Sequence, residues 1–367
     1  MIEILHSYHF IYNVLIVAFS TLITLLSIPS ILHVARSRHL YDDVGHFRKQ
    51  HDHGIPRLGG VAIFVSFTIT ILLFSIIDKA LPISYLLLAC IILFTMGLKD
   101  DLSGVNSSTK FFIQFVVAAI LVLLGDIRLT SMYGVFGIFE LPYIPSAIFS
   151  ILLIMLIVNS FNLIDGIDGL AAATGIIVNG AFALLFMYIH QYELAAISLA
   201  MVGAVIGFLK YNITPAKIFM GDTGALLIGL VSAVMAIKFI EVSKITGVGI
   251  PVISFGPALT MAVLVGPVFD TLRMFTLRIA SGKSPFEADR NHMHHRVLRL
   301  GLNHLQTTLC LSVINLLSIS MVFIFSNLSN SLLIVIILLI SVVSNWVITF
   351  CLRSKERESR ALRNFLA

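Results

Sequence analysis

The chain has 367 residues, of which 58% are apolar and 12% charged, a balance that excludes a disordered protein and is foreign to soluble domains. The net charge of +5 is small, and no interleaving of aromatic and basic residues suggests base stacking, so no nucleic-acid partner is expected. Cys90, Cys310 and Cys351 are scattered and give neither a disulfide framework nor a zinc pattern.

Apolar runs of the length a bilayer core demands recur from end to end. Eleven spans are expected, at about 10–33, 59–77, 81–98, 109–125, 143–158, 169–189, 193–209, 223–240, 252–277, 304–326 and 330–352. The first has no basic residues before it and no small-residue cleavage site, so it reads as a span and not as a removed leader. Residues 126–142 alternate with two glycines and are expected to form a small hairpin. The ninth span holds Pro257 and Pro267 and is expected to be kinked or broken. The fold class is therefore an all-α polytopic membrane protein, one integral membrane domain over 1–367. Of the 24 Lys and Arg residues, 20 fall on one set of alternate connections and the tail, which places the N-terminus outside and the C-terminus in the cytoplasm. That same side carries 13 of the 19 acids, and since acids contribute little to orientation, their excess there points to function.

Four polar clusters stand where apolar runs end. Asp100-Asp101 close the third span; adjacent carboxylates repel, and a cation relieves that. Position 104 is Gly, so the five-residue signature of soluble prenyl synthases is absent. Asn159, Asn162, Asp165 and Asp168 follow at a spacing of three, and on a helix the first three would share a face about 120° wide. Two acids and two amides offer oxygen ligands for magnesium and donors for a base or sugar. Asp222, in Phe219-Met220-Gly221-Asp222-Thr223-Gly224, is either a helix N-cap or part of an anion site, with Asn212 and the Phe219 ring beside it. Last, His292, His294 and His295 lie among Arg290, Arg296 and Arg299, more a diphosphate clamp than a zinc site. Gly203 and Gly207 form a GxxxG that reads as helix packing. A secondary transporter is the rival of a different class, but its site would lie near mid-membrane. Here Asp270 is the deepest acid.

These clusters, with Arg48-Lys49-Gln50-His51 and Pro56-Arg57-Leu58-Gly59-Gly60, stand in an order that resembles the polyprenyl-phosphate N-acetylhexosamine-1-phosphate transferase superfamily, over about residues 36–303. The Asp-Arg-x-His-x-His-His loop is similar to the branch that transfers GlcNAc-1-phosphate from UDP-GlcNAc to undecaprenyl phosphate, and unlike the phospho-MurNAc-pentapeptide branch. Phospho-MurNAc-pentapeptide transfer and other UDP-N-acetylhexosamine donors remain alternatives. The resemblance implies a magnesium-dependent enzyme (manganese can substitute) of the bacterial inner membrane, with its site on the cytoplasmic face. UDP-N-acetylhexosamine, undecaprenyl phosphate and membrane lipid would be its partners, and a homodimer is allowed. Asp222 and Asn162 would hold the metal. Asp100 would be the base and Asp101 would position the metal or Lys110, a phosphate contact. Asp165, Asn212 and Phe219 would hold the uridine, with Asp168 and Asn159 in the same pocket. His292, His294, His295 and Arg290 would meet the diphosphate or sugar, and Lys49 the nucleotide. The lipid phosphate would attack the β-phosphorus directly and release UMP, initiating synthesis of a lipid-linked envelope glycan such as a cell-wall polymer or O-antigen.

Overall fold

The computed structural model describes residues 2–40, 54–74, 82–243, 253–284 and 291–366. Helices α1 (Ile2–Ser37), α2 (Gly59–Leu73), α3 (Ile83–Ser103) and α4 (Ser107–Ala119) come first, the last continued by a π-helical turn at Ile120–Leu124. A two-stranded antiparallel hairpin follows, β1 (Ser131–Val135) and β2 (Ile138–Glu140), with Ser131 opposite Glu140. Then come α5 (Tyr143–Ile164), α6 (Leu170–Tyr188), α7 (Tyr192–Asn212), α8 (Gly221–Val242) and α9 (Gly256–Ala280). A seven-residue helix α10 (Met293–Arg299) precedes α11 (His304–Ile324) and α12 (Asn330–Leu366). Every expected span has its helix, and the hairpin is where the alternation put it. Among the described residues, ten helices are long and apolar enough to cross a bilayer. The eleventh, α2, has 15 described residues and rises about 22 Å. The chain is an all-α multi-pass membrane protein.

Helix α8 is the hub. Its most apolar stretch is 89% buried, against 22% for α1 and 28% for α12, which face lipid. Small residues let its neighbours come close. A Cβ on Gly60 of α2 would fall 2.2 Å from the Gly224 backbone nitrogen of α8, and one on Gly97 of α3 would fall 2.6 Å from Thr223 Cα. The GxxxG of α7 packs, as expected, inside the chain: Thr21 of α1 donates to Gly203 O at 2.9 Å, and Ser20 to Ala200 O at 2.7 Å.

Of the kink or break expected in the ninth span, the break is absent. Helix α9 is continuous through Pro267, and Pro257 sits in its first turn, where the missing N–H costs nothing. Proline 267 cannot donate to the carbonyl of Val263. Asn315 of α11 supplies the missing donor, its Nδ2 reaching Val263 O at 3.2 Å while its Oδ1 accepts from Gly266 N at 3.4 Å. In a bilayer, where no water replaces a lost bond, this side chain lets the helix run on.

Candidate functional site

The polar clusters meet at one end of the bundle. The C-terminal turn of α3 carries Asp100 and Asp101, and Gly104, at φ +73°, turns the chain into α4. That turn lets Asp100 Oδ1 accept from Val105 N at 2.6 Å and brings Lys110 back to Asp100 Oδ2 at 2.5 Å. The same ammonium reaches Asp222 Oδ2 at 2.8 Å, so one lysine bridges two carboxylates. Asp101 points the other way. It accepts from Asp222 N at 2.8 Å, Thr223 N at 3.0 Å and Thr223 Oγ1 at 2.6 Å. It therefore caps the amino end of α8, whose positive end favours a carboxylate. Two expectations change accordingly. Asp222 is not the N-cap of α8 but lies inside its first turn, and Lys110 is held by Asp100, not by Asp101. Gly221, at φ +71°, makes this possible: its missing side chain leaves room for Arg57 O and the Asp101 carboxylate. The segment 56–60 is zipped to the same place, with Phe219 N donating to Pro56 O at 2.9 Å and Gly59 N to Phe219 O at 2.9 Å.

Helix α5 extends to Ile164 and so carries Asn159 and Asn162 as helical residues. Asn162 hydrogen-bonds the Asp222 carboxylate. Asn159 donates to Gln114 Oε1 at 2.6 Å and to Met155 O at 2.8 Å, tying α5 to α4. Asn212 is buried, its Oδ1 accepting from Gly169 N at 2.8 Å and its Nδ2 donating to Ile218 O at 2.9 Å. In this structure it braces the start of α6. Phe219 is half-buried.

The histidine segment closes over the loop at 165–169. His294 is 1% exposed, and its Nε2 lies so close to Gly166 that a Cβ there would fall 2.3 Å away. The rings of His292 and His294 are parallel, 5.7 Å apart, and His295 lies 4.2 Å from His294. Asp168 faces His304 Nδ1 at 3.3 Å, and Thr308 donates to Asp168 O at 3.3 Å. Lys49 and Arg290 lie outside the described residues. Three residues to which the sequence assigned no role in the site belong here. Arg57 lies beside Asp165, His304 meets Asp168, and Asp270 is engaged by Arg273 and His292 and so is not the free mid-membrane acid a transporter would use.

The crowding of carboxylates has an electrostatic signature. Asp165 is pushed up to about 7, first by burial and then by Asp222 and Asp101, with Arg57 pulling the other way. His294 is pushed down to about 3, first by burial and then by His295, which keeps its imidazole neutral. Such a site calls for further positive charge. Among the described residues no three His, Cys, Asp or Glu side chains converge as a ready-made cage. The oxygen donors of Asp222 and Asn162 nonetheless fit magnesium, which binds one or two protein groups and completes its shell with water and phosphate oxygens. Asn162, which now donates to Asp222, would turn its amide oxygen inward to do so.

Residues 83–240, spanning Asp100 to Asp222, match the profile of glycosyl transferase family 4. A probable undecaprenyl-phosphate N-acetylglucosaminyl 1-phosphate transferase of Bacillus subtilis (strain 168) is 32% identical over 268 residues, covering 73% of this chain and 72% of the relative. The chain belongs to glycosyl transferase family 4. This family 4 transferase is also 29% identical to a decaprenyl-phosphate N-acetylglucosaminephosphotransferase of Mycolicibacterium smegmatis (strain ATCC 700084 / mc(2)155), over 71% of the chain and 70% of that protein. It is 26% identical to the undecaprenyl-phosphate alpha-N-acetylglucosaminyl 1-phosphate transferase of Escherichia coli O157:H7, over 72% and 71%. The superfamily resemblance read from the motifs is borne out, and the chain is an enzyme.

Proposed function

We propose that this transferase moves GlcNAc-1-phosphate from UDP-GlcNAc to undecaprenyl phosphate, releasing UMP, at the cytoplasmic face of a bacterial inner membrane. The observation that carries the reading is the Lys110 ammonium set between Asp100 and Asp222 beside a carboxylate-capped helix, a site built for phosphate at the end of a membrane bundle. The names of the relatives supply the sugar and the lipid. The excess of basic residues on this side of the bundle supports the cytoplasmic face.

An apolar groove of about 240 Å³ between α5, α8, α9 and α12, lined by Leu153, Ile157, Leu264, Val268 and Leu272, suits a prenyl tail. Lys110 meets the phosphate as a point charge. Asp100 holds Lys110 and can orient or deprotonate the acceptor. A phosphate monoester has a second pKa of about 6 and arrives mostly ionised, so positioning outweighs the base. Asp165, with its carboxyl near neutrality, can hold or release a proton at working pH. Asp222 and Asn162 would hold magnesium, which when bound supplies charge neutralisation on the diphosphate and the departing UMP. His292, His294 and His295 close the donor side. Transfer is direct, with no phospho-enzyme.

The test supplies purified protein with magnesium, undecaprenyl phosphate and a panel of labelled UDP-sugars, UDP-MurNAc-pentapeptide among them. UMP is expected with UDP-GlcNAc, and Asp222→Ala is expected to insert normally and release none. Release only from another UDP-sugar reassigns the donor, and release from none of them refutes the proposal.

A further inference from the structure

We propose that Asp270 is a positioning residue for the transfer reaction, fixing the tautomer and the place of His292; the inference rests on the function proposed above. Asp270 lies in α9, 3% exposed, and every bond it makes converges on the point where the histidine segment enters α10. Its Oδ2 is 2.9 Å from His292 Nδ1. Its two oxygens share the backbone N–H of Met293, at 3.1 and 3.2 Å. Its Oδ1 also accepts from Arg273 Nη2 at 2.9 Å, and that nitrogen continues to Asn291 O at 2.6 Å. One carboxylate and one guanidinium thus hold residues 291, 292 and 293 together.

The chemistry follows from which atom donates. A carboxylate that already accepts from Arg273 and Met293 is ionised, and an ionised carboxylate can only accept. The proton on His292 must therefore sit on Nδ1, and Nε2 is left facing away from Asp270. His294 is seated on Gly166, in the loop between Asp165 and Asp168, and the His292 ring lies parallel to it with centroids 5.7 Å apart. A phosphate group bound there meets His292 through Nε2, either as the acceptor of a proton or, once protonated, as a donor. Asp270 stabilises the protonated ring as well, being an anion 2.9 Å away. The charged or titratable groups around this pair are Arg273 on α9 and His294, His295 and Arg296 on α10. None but Asp270 is bonded to His292 Nδ1 among the described contacts.

Asp270→Asn keeps the shape and can still accept from Arg273 and Met293, but it presents an N–H to His292 and so inverts the tautomer. Turnover is expected to fall at least ~100-fold with the KM for UDP-GlcNAc changed less than about threefold, because the lost function is orientation in the transition state. The deciding measurement is the double mutant. In a His292→Gln background, Asp270→Asn should cost little more, since the residue it serves is gone. If instead the two losses multiply, Asp270 acts on the fold at large and the proposal fails. A second readout needs no substrate and no change at Asp270: nitrogen-15 NMR of histidine-labelled protein, with the His292 signal assigned by its loss in His292→Gln. A proton on Nδ1 in the unsubstituted protein is expected, and a proton on Nε2 alone overturns the inference. If the NMR result holds while no UDP-sugar is turned over, the proposed function has failed and the pairing has not.

Discussion

Gly60→Ala should cut turnover at least ~100-fold while leaving the protein folded in the membrane. The added Cβ would land 2.2 Å from Gly224 N and 2.7 Å from Thr223 Cβ, where ordinary contact begins at 3.4 Å. Gly224 N is backbone and cannot swing aside, so α2 and α8 must part by about 1 Å, an overpacking that costs roughly 1–3 kcal/mol. A bundle with so large a buried core survives that. The chemistry does not, because Thr223 and Asp222 are the groups that Asp101 holds, and misplacing a reacting centre by about 1 Å can cost ~100-fold. Gly180→Ala in α6 is the matched control: nothing lies within 4 Å of its Cβ, and a helical glycine replaced by alanine gains up to about 1 kcal/mol. The assay is initial rate of UMP release for both variants at equal amounts of folded protein, with thermal unfolding in detergent alongside. A normal rate for Gly60→Ala, or equal losses in the two variants, would refute the reasoning.

Lys110→Met strips Asp100 and Asp222 of their shared cation, and kcat should fall at least ~100-fold in the same assay, by loss of a preorganised charge. In metal-free protein the carboxyl of Asp165 should leave a mark on stability against pH. Its folded pKa of about 7 lies above the ordinary 3.8, so its contribution is full below pH 3.8 and is lost as pH rises through 7. Unfolding temperature should therefore fall from pH 6 to 8 more steeply in the unsubstituted protein than in Asp165→Asn; parallel curves would contradict this. Asn315→Leu leaves the Val263 carbonyl without its donor and should cost about 1–3 kcal/mol in detergent unfolding. Pro267→Ala in that background restores a backbone N–H and should recover part of the loss.

The spans, the hairpin and the polar clusters were legible in the sequence because their signals are local. An apolar run of about 20 residues is rare outside a bilayer span, and Asp-Asp or His-x-His-His survives any error in where a helix ends. Which side chain holds which was not legible. That Asp101 would cap α8, 121 positions along, depends on how α3 and α8 cross. Nothing in the neighbourhood of Asn212 announces that its amide also ties Gly169 to Ile218. Asp270 carried a readable hint: an acid in an apolar span needs a partner, and Arg273 sits three residues on, on the same helix face. Its bond to His292 spans a loop and had no such hint. The continuity of α9 was hidden for the same reason, since the remedy for Pro267 comes from Asn315 on another helix.

The short helix α10 is bolted to the last membrane helix. Arg296, 6% exposed, bonds Asn345 and Thr349, and Lys355 crosses from α12 to the terminal carbonyls of α10 at Arg299 and Leu300. The ribosome makes α12 after everything it steadies. A nascent chain with only the spans before α12 inserted would already own every acid and histidine of the site, yet would lack the post against which the histidines are propped, so competence arrives with α12.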